Sequence, residues 1–268
     1  MKLVSLKASF AKESDLCTAF IAALPEGWTP YPETDGFDLI LVRDDGAQVG
    51  IEAKLVLNAK VLIQAVDHVH QRWNGGVVGP DFLAVLIPYG HKTPEMVTIA
   101  GYLGLAVIEQ HDAATFEQRY RYERFKLKAP DCFPFSPGLP DTRWSEDGYR
   151  NGWRDQMPAE RCKLPAYVPD VVAGASAPST LSEWKISAIK LCILLEKRGE
   201  ITSMDFKTLH VHRQRWLDGK WITPTDRRGH YVVGSRPLNL RAQHPINYAQ
   251  IEADFEKWAP AAALGATA

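Results

Sequence analysis

Long hydrophobic runs are absent from this sequence, and no stretch reaches the ~18 consecutive apolar residues that a membrane-spanning helix needs. Cysteine is scarce, and the four residues of this type are Cys17, Cys132, Cys162 and Cys192. Because none of them forms a CxxC pair, the pattern argues against a zinc knuckle and predicts reduced thiols in the cytoplasm. No apolar stretch with a small-residue cleavage site follows the first ten residues, so we expect no secretion signal and no membrane partner.

The composition is that of a folded protein. The chain has 268 residues, of which 46% are hydrophobic and 24% are charged. These proportions suffice for one large or two modest domains with buried cores. They exclude a disordered chain, a collagen-like fibre and a coiled-coil rod.

The net charge of −1 hides an uneven distribution along the chain. Residues 1–110 hold 8 Lys and Arg against 13 Asp and Glu, a net charge of −5, whereas residues 181–245 hold 12 against 6, a net charge of +6. A basic segment of this kind is typical of proteins that bind a polyanion. The alternative interpretation is a chance asymmetry between two ordinary domains.

Residues 1–112 alternate between helical and strand patterns, and we interpret them as one domain. Asp44-Asp45-Gly46 is typical of a hairpin turn between two of the strands. The predicted elements are a helix at 12–24, strands at 37–43 and 47–55, a helix at 58–73, a strand at 81–87, a helix at 94–102 and a strand at 105–109. This order predicts an α/β domain with a mixed sheet flanked by helices.

The rest of the chain divides into a connector, a second domain and a tail. Prolines interrupt residues 113–180, which we interpret as a connector rich in Pro, Arg and aromatic residues. In residues 181–258 the predicted elements are helices at 181–197, 203–210 and 211–217, a hairpin of 221–223 with 230–233, and a helix at 246–258. We expect residues 259–268 to form a frayed tail.

Three charged side chains lie together on the first predicted hairpin. Asp38 begins one strand, and Glu52 and Lys54 lie two residues apart on its partner. Because side chains of a strand alternate between faces, we expect Glu52 and Lys54 on the exposed side of the sheet and Ala53 in the core. Charged groups gathered on an otherwise apolar hairpin are costly without a purpose. The competing interpretation is a surface hairpin whose Glu52 and Lys54 pair with each other or with solvent.

Asp38, thirteen intervening residues and then Glu52-Ala53-Lys54 resemble the motif of the PD-(D/E)XK nuclease superfamily. The resemblance covers residues 10–110 and includes a Glu-bearing helix before the hairpin and a helix and strand after it. Phe37 stands where the name-giving pattern has Pro. The resemblance implies a restriction-endonuclease-like fold that hydrolyses phosphodiester bonds with Mg²⁺, for which Mn²⁺ can substitute.

The resemblance also implies roles for the residues of the motif. Asp38 and Glu52 would hold the ion, with the Ala53 carbonyl as a third ligand, and Mg²⁺ indeed prefers oxygen ligands. The ion would acidify a bound water and neutralise charge in the transition state. Lys54 would orient that water and stabilise the developing oxyanion.

Further candidates lie on neighbouring elements. By the same resemblance, Glu13 in the first helix is an additional acid, and Gln64 on the helix after the hairpin reaches the metal-bound water or the scissile phosphate. A solvated glutamate favoured by the helix dipole explains Glu13 equally well. Glu33 and Asp35 are close enough to Asp38 to compete as ligands, and Asp38 is preferred because its strand fixes its position.

The second domain, with three helices followed by a basic hairpin, resembles a winged helix-turn-helix. Its candidate DNA contacts are Arg213, Arg215 and Lys220 in or just after the recognition helix, and Arg227 and Arg228 at the hairpin tip. Two histidine pairs, His68-x-His70 and His210-x-His212, have no further ligands at zinc spacing and are interpreted as non-metal.

The sequence therefore predicts a cytoplasmic, Mg²⁺-dependent endonuclease with a nuclease-like domain, a connector and a small, mainly helical winged-helix-like domain that binds nucleic acid, with DNA favoured. One alternative is a non-catalytic DNA-binding or regulatory protein that uses the front domain as a scaffold. Another is an interaction protein that uses both domains for protein contacts. Whether two copies pair as a homodimer and whether the substrate is DNA or RNA stay open at this stage.

Overall fold

The computed structural model describes residues 7–70, 78–124, 133–140, 153–175 and 180–259. Contacts divide the chain into two compact units, the first made of Met1–Leu164 with Val172–Pro178 and the second of Pro165–Val171 with Ser179–Ala268. Within the described residues, no helix has both the length and the apolar character needed to cross a membrane. Residues 260–268 of the predicted tail lie outside the described residues.

The first unit is built on a mixed sheet. Its described elements are α1 (Glu13–Ala22), β1 (Trp28–Thr34), β2 (Phe37–Arg43), β3 (Gln48–Ala53), α2 (Ala59–His70), β4 (Phe82–Pro88), α3 (Pro94–Tyr102), β5 (Leu105–Gln110), α4 (Ala113–Arg124) and β6 (Phe135–Ser136). The strand order is β1-β2-β3-β4-β5-β6. Strands β3, β4 and β5 run parallel, and the other neighbouring pairs are antiparallel. The predicted mixed α/β sheet flanked by helices is confirmed.

Helices cover both faces of this sheet. On one face, α1 packs through Leu16, Cys17 and Phe20 against apolar residues of β2 to β5. On the other face, apolar residues of α2 pack against Ile40 and a second set of strand residues. Consequently every residue of β3 is buried. The expectation that Glu52 lies on an exposed side is therefore wrong, because α2 covers that side.

Described parts of the segment 113–180 pack on this sheet. Strand β6 pairs with β5 and extends the sheet by one strand. Trp153 packs edge-on against Phe82 at a ring-centroid distance of 6.0 Å. Arg161 donates two hydrogen bonds from Nε and Nη2 to the carboxylate of Asp81, at 2.8 and 3.0 Å. These contacts hold β6, Trp153 and Arg161 to the rest of the first unit.

The second unit combines short helices with a small sheet. Its described elements are α5 (Glu183–Arg198), β7 (Ile201–Thr202), α6 (Ser203–Thr208), α7 (Arg213–Asp218), β8 (Ile222–Pro224), β9 (His230–Val233), α8 (Leu240–Gln243), α9 (Pro245–Ala253) and α10 (Phe255–Trp258). The strand order is β7-β9-β8, with both pairs antiparallel. Trp216 and Tyr248 are among the largest fully buried side chains of its core.

Local signals in the sequence explain where the helices of this unit begin and end. Helix α5 begins after Ser182, whose hydroxyl accepts a hydrogen bond from Lys185 N–H, and ends at Gly199 with the left-handed φ of 76°. Helix α6 begins at a capping box formed by Thr202 and Asp205. These caps fix the bounds of the two helices that precede α7, which carries Arg213 and Arg215.

Candidate active site

Strands β2 and β3 place the two motif carboxylates side by side. Leu39 pairs with Ile51 across the antiparallel ladder, so Asp38 and Glu52 are the next residues along the two strands. The Oδ2 atom of Asp38 accepts a hydrogen bond from the backbone N–H of Ala53 at 2.8 Å. This bond fixes the Asp38 carboxylate at the end of β3, next to Glu52.

Lys54 follows the last residue of β3 and reaches helix α1. Its Nζ lies 2.8 Å from Oε2 of Glu13, in a half-buried ion pair. Burial alone would lower the pKa of Lys54, but the hydrogen bond to Glu13 and the charges of Asp38 and Glu52 outweigh burial and raise that pKa. Lys54 is therefore an ammonium at neutral pH, which can donate hydrogen bonds and stabilise negative charge but cannot act as a base.

Glu52 lies beneath helix α2 and is fully buried. Gln64 Nε2 donates a hydrogen bond to Glu52 Oε2 at 2.6 Å, and His68 Nε2 lies 3.2 Å from Oε1. Both residues reach the same carboxylate because they are four residues apart on one helix. Burial raises the pKa of Glu52, and the contact with His68 offsets part of that rise.

Asp38 and Glu33 also contribute to the electrostatics of the site. Burial raises the pKa of Asp38, against the opposing effect of its hydrogen bond from Ala53. Burial and the neighbouring Asp38 raise the pKa of Glu33, at the end of β1, to about 7. Glu33 Oε1 also accepts a hydrogen bond from the backbone N–H of Gly174 at 2.8 Å. Four carboxyl groups, those of Glu13, Glu33, Asp38 and Glu52, therefore lie around the ammonium of Lys54.

The donor set is chemically suited to a hard divalent cation. In the part of the chain that the structure describes, no group of three or more His, Cys, Asp or Glu side chains is arranged to hold a metal ion. Mg²⁺ commonly takes only one or two carboxylates and completes its shell with water and substrate phosphate. Asp38 and Glu52 supply two carboxyl groups, and a divalent cation beside them would offset the burial that raises the pKa of each. The residues present therefore fit Mg²⁺.

The structure brings the predicted site residues of the first unit together, and these are Glu13, Asp38, Glu52, Ala53, Lys54 and Gln64. His68 is a further member of the site, although the sequence interpretation sets it aside as a non-metal histidine. The signal that points to His68 is its spacing of four residues from Gln64 on one helix. Glu33, first considered as a competing ligand, joins the site through its proximity to Asp38.

In the second unit, Arg213 is held by two contacts at the start of α7. Its Nη1 donates a hydrogen bond to Ser203 Oγ at 3.0 Å, and its guanidinium lies over the ring of Tyr231 at 5.7 Å. A cavity of about 320 Å³ adjoins it, lined by Ser203, Phe206, Lys207, Val211, His212, Arg213 and Gln214. Arg213 is thus exposed yet oriented, and Lys207 adds a cation that the sequence interpretation does not include.

The other predicted DNA contacts are also exposed, and these are Arg215, Lys220, Arg227 and Arg228. Arg227 Nη1 lies 3.3 Å from Glu200 Oε1, and His230 Nδ1 lies 3.2 Å from the same oxygen. One nitrogen of Arg227 is therefore already paired with a carboxylate, with which a phosphate would compete. The five basic residues are all exposed, but they differ in how readily their charges can pair with a phosphate.

Comparison with protein-family models, with curated proteins and with solved structures finds no match to this chain. Mixed α/β folds support many unrelated activities, so the fold class alone does not decide the function. The function is therefore argued from the geometry and charge of the site.

Proposed function

We propose that this protein is a metal-dependent nuclease that hydrolyses phosphodiester bonds, with DNA as the favoured substrate. The observation that carries the proposal is the convergence of Asp38, Glu52 and Lys54 at the end of the β2–β3 hairpin. A structural hairpin has no need for two largely buried carboxylates beside one ammonium, because each buried charge costs free energy. A divalent cation bound between these acids and a substrate phosphate would explain why the buried acids are kept at this place.

The order of elements supports the finer fold assignments. Helix α1 with Glu13, the hairpin with Asp38 and Glu52, helix α2 and strand β4 follow one another as in a restriction-endonuclease-like fold. In the second unit, the order α5-β7-α6-α7-β8-β9 with the sheet β7-β9-β8 suits a winged helix-turn-helix. We therefore assign catalysis to the first unit and DNA binding to the second.

The residues of the site divide the work among them. Asp38 and Glu52 hold the cation, with the Ala53 carbonyl as a further oxygen donor. When bound, the cation supplies an acidified water and neutralises charge on the phosphate. Lys54 donates a hydrogen bond to the attacking water or to the phosphate oxygen on which charge develops. Glu13 keeps Lys54 charged and in place.

Cleavage of plasmid and single-stranded DNA in the presence of Mg²⁺ or Mn²⁺ tests this function. We expect Asp38→Asn and Lys54→Met each to slow cleavage by at least ~100-fold, since each removes charge stabilisation from the transition state. The matched controls are Asp44→Asn and Lys60→Met, which remove the same charges from exposed positions of the same unit and should cleave like the unaltered protein. Equal activity in all four variants would show that a contaminant cuts the DNA.

The buried state of Glu52 also supports a second candidate function. Both of its oxygens already contact side chains of α2, as expected of a scaffold that no longer binds a cation. In that case the protein is a non-catalytic DNA-binding regulator. Tight DNA binding without cleavage of any DNA or RNA, whichever metal is added, would establish the regulator and exclude the nuclease.

A further inference from the structure

Helix α2 presents two nitrogen atoms to a single carboxylate. Gln64 Nε2 lies 2.6 Å from Glu52 Oε2, and His68 Nε2 lies 3.2 Å from Oε1. Oε2 of this fully buried carboxylate thus accepts a hydrogen bond, whereas Oε1 lies within ion-pair distance of His68 without hydrogen-bond geometry, and both nitrogens come from the same face of one helix. Rotation of this carboxylate would break the hydrogen bond from Gln64 and move Oε1 away from His68.

The backbone around His68 is shaped to receive its ring. The rings of Phe37 and His68 pack with their centroids 4.9 Å apart. Gly36 has the left-handed φ of 94°, and a Cβ there would lie 2.7 Å from His68 Nδ1. A Cβ at Gly50 would lie 2.7 Å from the ring of Phe37. A side chain at either glycine would displace this pair of rings, so both positions leave the space that the rings of Phe37 and His68 occupy.

The contacts of Gln64 indicate how it acts. The resemblance to nucleases assigns Gln64 to the metal-bound water or the scissile phosphate. Its amide nitrogen instead donates a short hydrogen bond to Oε2 of Glu52. Partners that hold a ligand carboxylate in this way commonly change metal affinity by about 10- to 100-fold when they are removed.

We infer that Gln64 and His68 are positioning residues that hold the Glu52 carboxylate in the orientation that binds the divalent cation. This inference rests on the proposed function, since it concerns the same site. Neither residue has to touch the cation or the DNA. Their removal should weaken cation binding and slow cleavage together, while the KM for DNA stays unchanged.

Titration of the full-length protein with Mn²⁺ by calorimetry, beside DNA cleavage by the same preparations, tests the inference. We expect His68→Ala and Gln64→Ala each to weaken Mn²⁺ binding by about 10- to 100-fold and to lower kcat with little change in KM. His68→Gln, which keeps a donor near Oε1, should recover most of the affinity. Asp67→Ala, at an exposed position of the same helix, is the matched control and should bind Mn²⁺ normally.

Thermal unfolding of each variant separates loss of positioning from loss of folding. If His68→Ala does not fold, Gln64→Ala alone decides the matter. Unchanged Mn²⁺ affinity in the folded Ala variants overturns the inference and leaves the nuclease proposal intact. The inference is also overturned if His68→Gln loses as much Mn²⁺ affinity as His68→Ala. The His68 ring would then act only through its packing and not by holding the Glu52 carboxylate. An unaltered protein that neither binds Mn²⁺ nor cleaves DNA overturns both.

Discussion

Glu13 and Lys54 form the contact that determines what the candidate site can do at neutral pH. Lys54 keeps its proton because Glu13 and the neighbouring acids outweigh burial. The role that the geometry supports for Glu13 is to anchor Lys54, since its Oε2 contacts the ammonium at 2.8 Å. The site therefore contributes an ammonium that stabilises negative charge, and Lys54 cannot take the proton of an attacking water.

Glu33 makes the stability of the protein depend on pH. Its pKa is about 7 in the folded protein against an ordinary value of 4.5, so between these values the folded protein binds more protons than the unfolded chain. Stability therefore falls as the pH rises through this interval, and the loss is complete above it. We expect Glu33→Gln to stabilise the protein by ~1 kcal/mol at pH 8 and hardly at all at pH 5. The gain at pH 8 stays this small because Glu33 is partly exposed, and solvent screens most of the destabilisation that the full pKa change would give.

Thermal unfolding at pH 5 and pH 8 in the presence of a chelator measures this difference. The control is Glu26→Gln, which removes a carboxylate from an exposed position before β1 and should have the same small effect at both pH values. An equal effect of Glu33→Gln at both pH values would contradict the assignment. It would show that the Glu33 carboxylate is not destabilised by burial and by Asp38.

At this scale the sequence reveals the residues that are close along the chain. The pattern of Asp38, Glu52 and Lys54 is readable because a single hairpin brings them together. The hydrogen bond from Gly174 to Glu33 joins residues 141 positions apart, and no local pattern predicts it. The burial of Glu52 also escapes prediction, because strand alternation does not tell which helix covers which face.

Among the elements, the strands and helices with clear periodicity are predicted best. Strand β2 and helix α3 have the bounds expected from the sequence, and both lie in segments with strong local signals. Strand β1 is not predicted, because Pro30 and Pro32 interrupt its pattern. Proline lacks an N–H and is tolerated in a strand at the edge of a sheet, which is where β1 lies. The edge position is a tertiary property that the sequence does not display.

Asp205 joins three elements of the second unit, and its loss should loosen them together. Its Oδ2 accepts hydrogen bonds from Thr202 N–H at 2.7 Å and from the Thr202 hydroxyl at 2.8 Å, and Arg198 of α5 pairs with the same carboxylate at 3.2 Å. Asp205→Ala removes one half of the capping box of α6 and leaves a mostly buried guanidinium without this partner. We expect destabilisation by ~3 kcal/mol, measured by urea unfolding.

A matched control for Asp205 lies on the next helix. Asp218 is exposed and accepts a hydrogen bond from Gln214 at 2.8 Å. Asp218→Ala should change the free energy of unfolding by less than ~0.5 kcal/mol, because it removes only a surface contact. Comparable losses of unfolding free energy in the two variants would mean that Asp205 contributes no more to stability than an exposed carboxylate does.

On the scale of the whole molecule, the acidic and the basic segments of the chain lie in different units. Residues 1–110 carry a net charge of −5 and residues 181–245 a net charge of +6. The candidate site adds further carboxyl groups to the acidic unit, and an acidic surface repels a phosphate backbone. The proposed DNA binding must then depend mainly on the basic unit. Substitutions in the second unit should therefore change the salt dependence of DNA affinity, and substitutions in the first unit should change the rate of cleavage.

The salt dependence of DNA binding tests this division at single residues. Each lost phosphate contact lowers the slope of log K against log salt by about 1. We expect that reduction for Arg213→Ala, since Arg213 is already oriented, and for Arg228→Ala, but a smaller one for Arg227→Ala, whose guanidinium pairs with Glu200. Lys257→Ala removes a charge from α10 and should leave the slope unchanged. Fluorescence anisotropy with labelled duplex DNA measures the slopes, and equal reductions in all four variants would mean diffuse attraction without a defined DNA-binding surface.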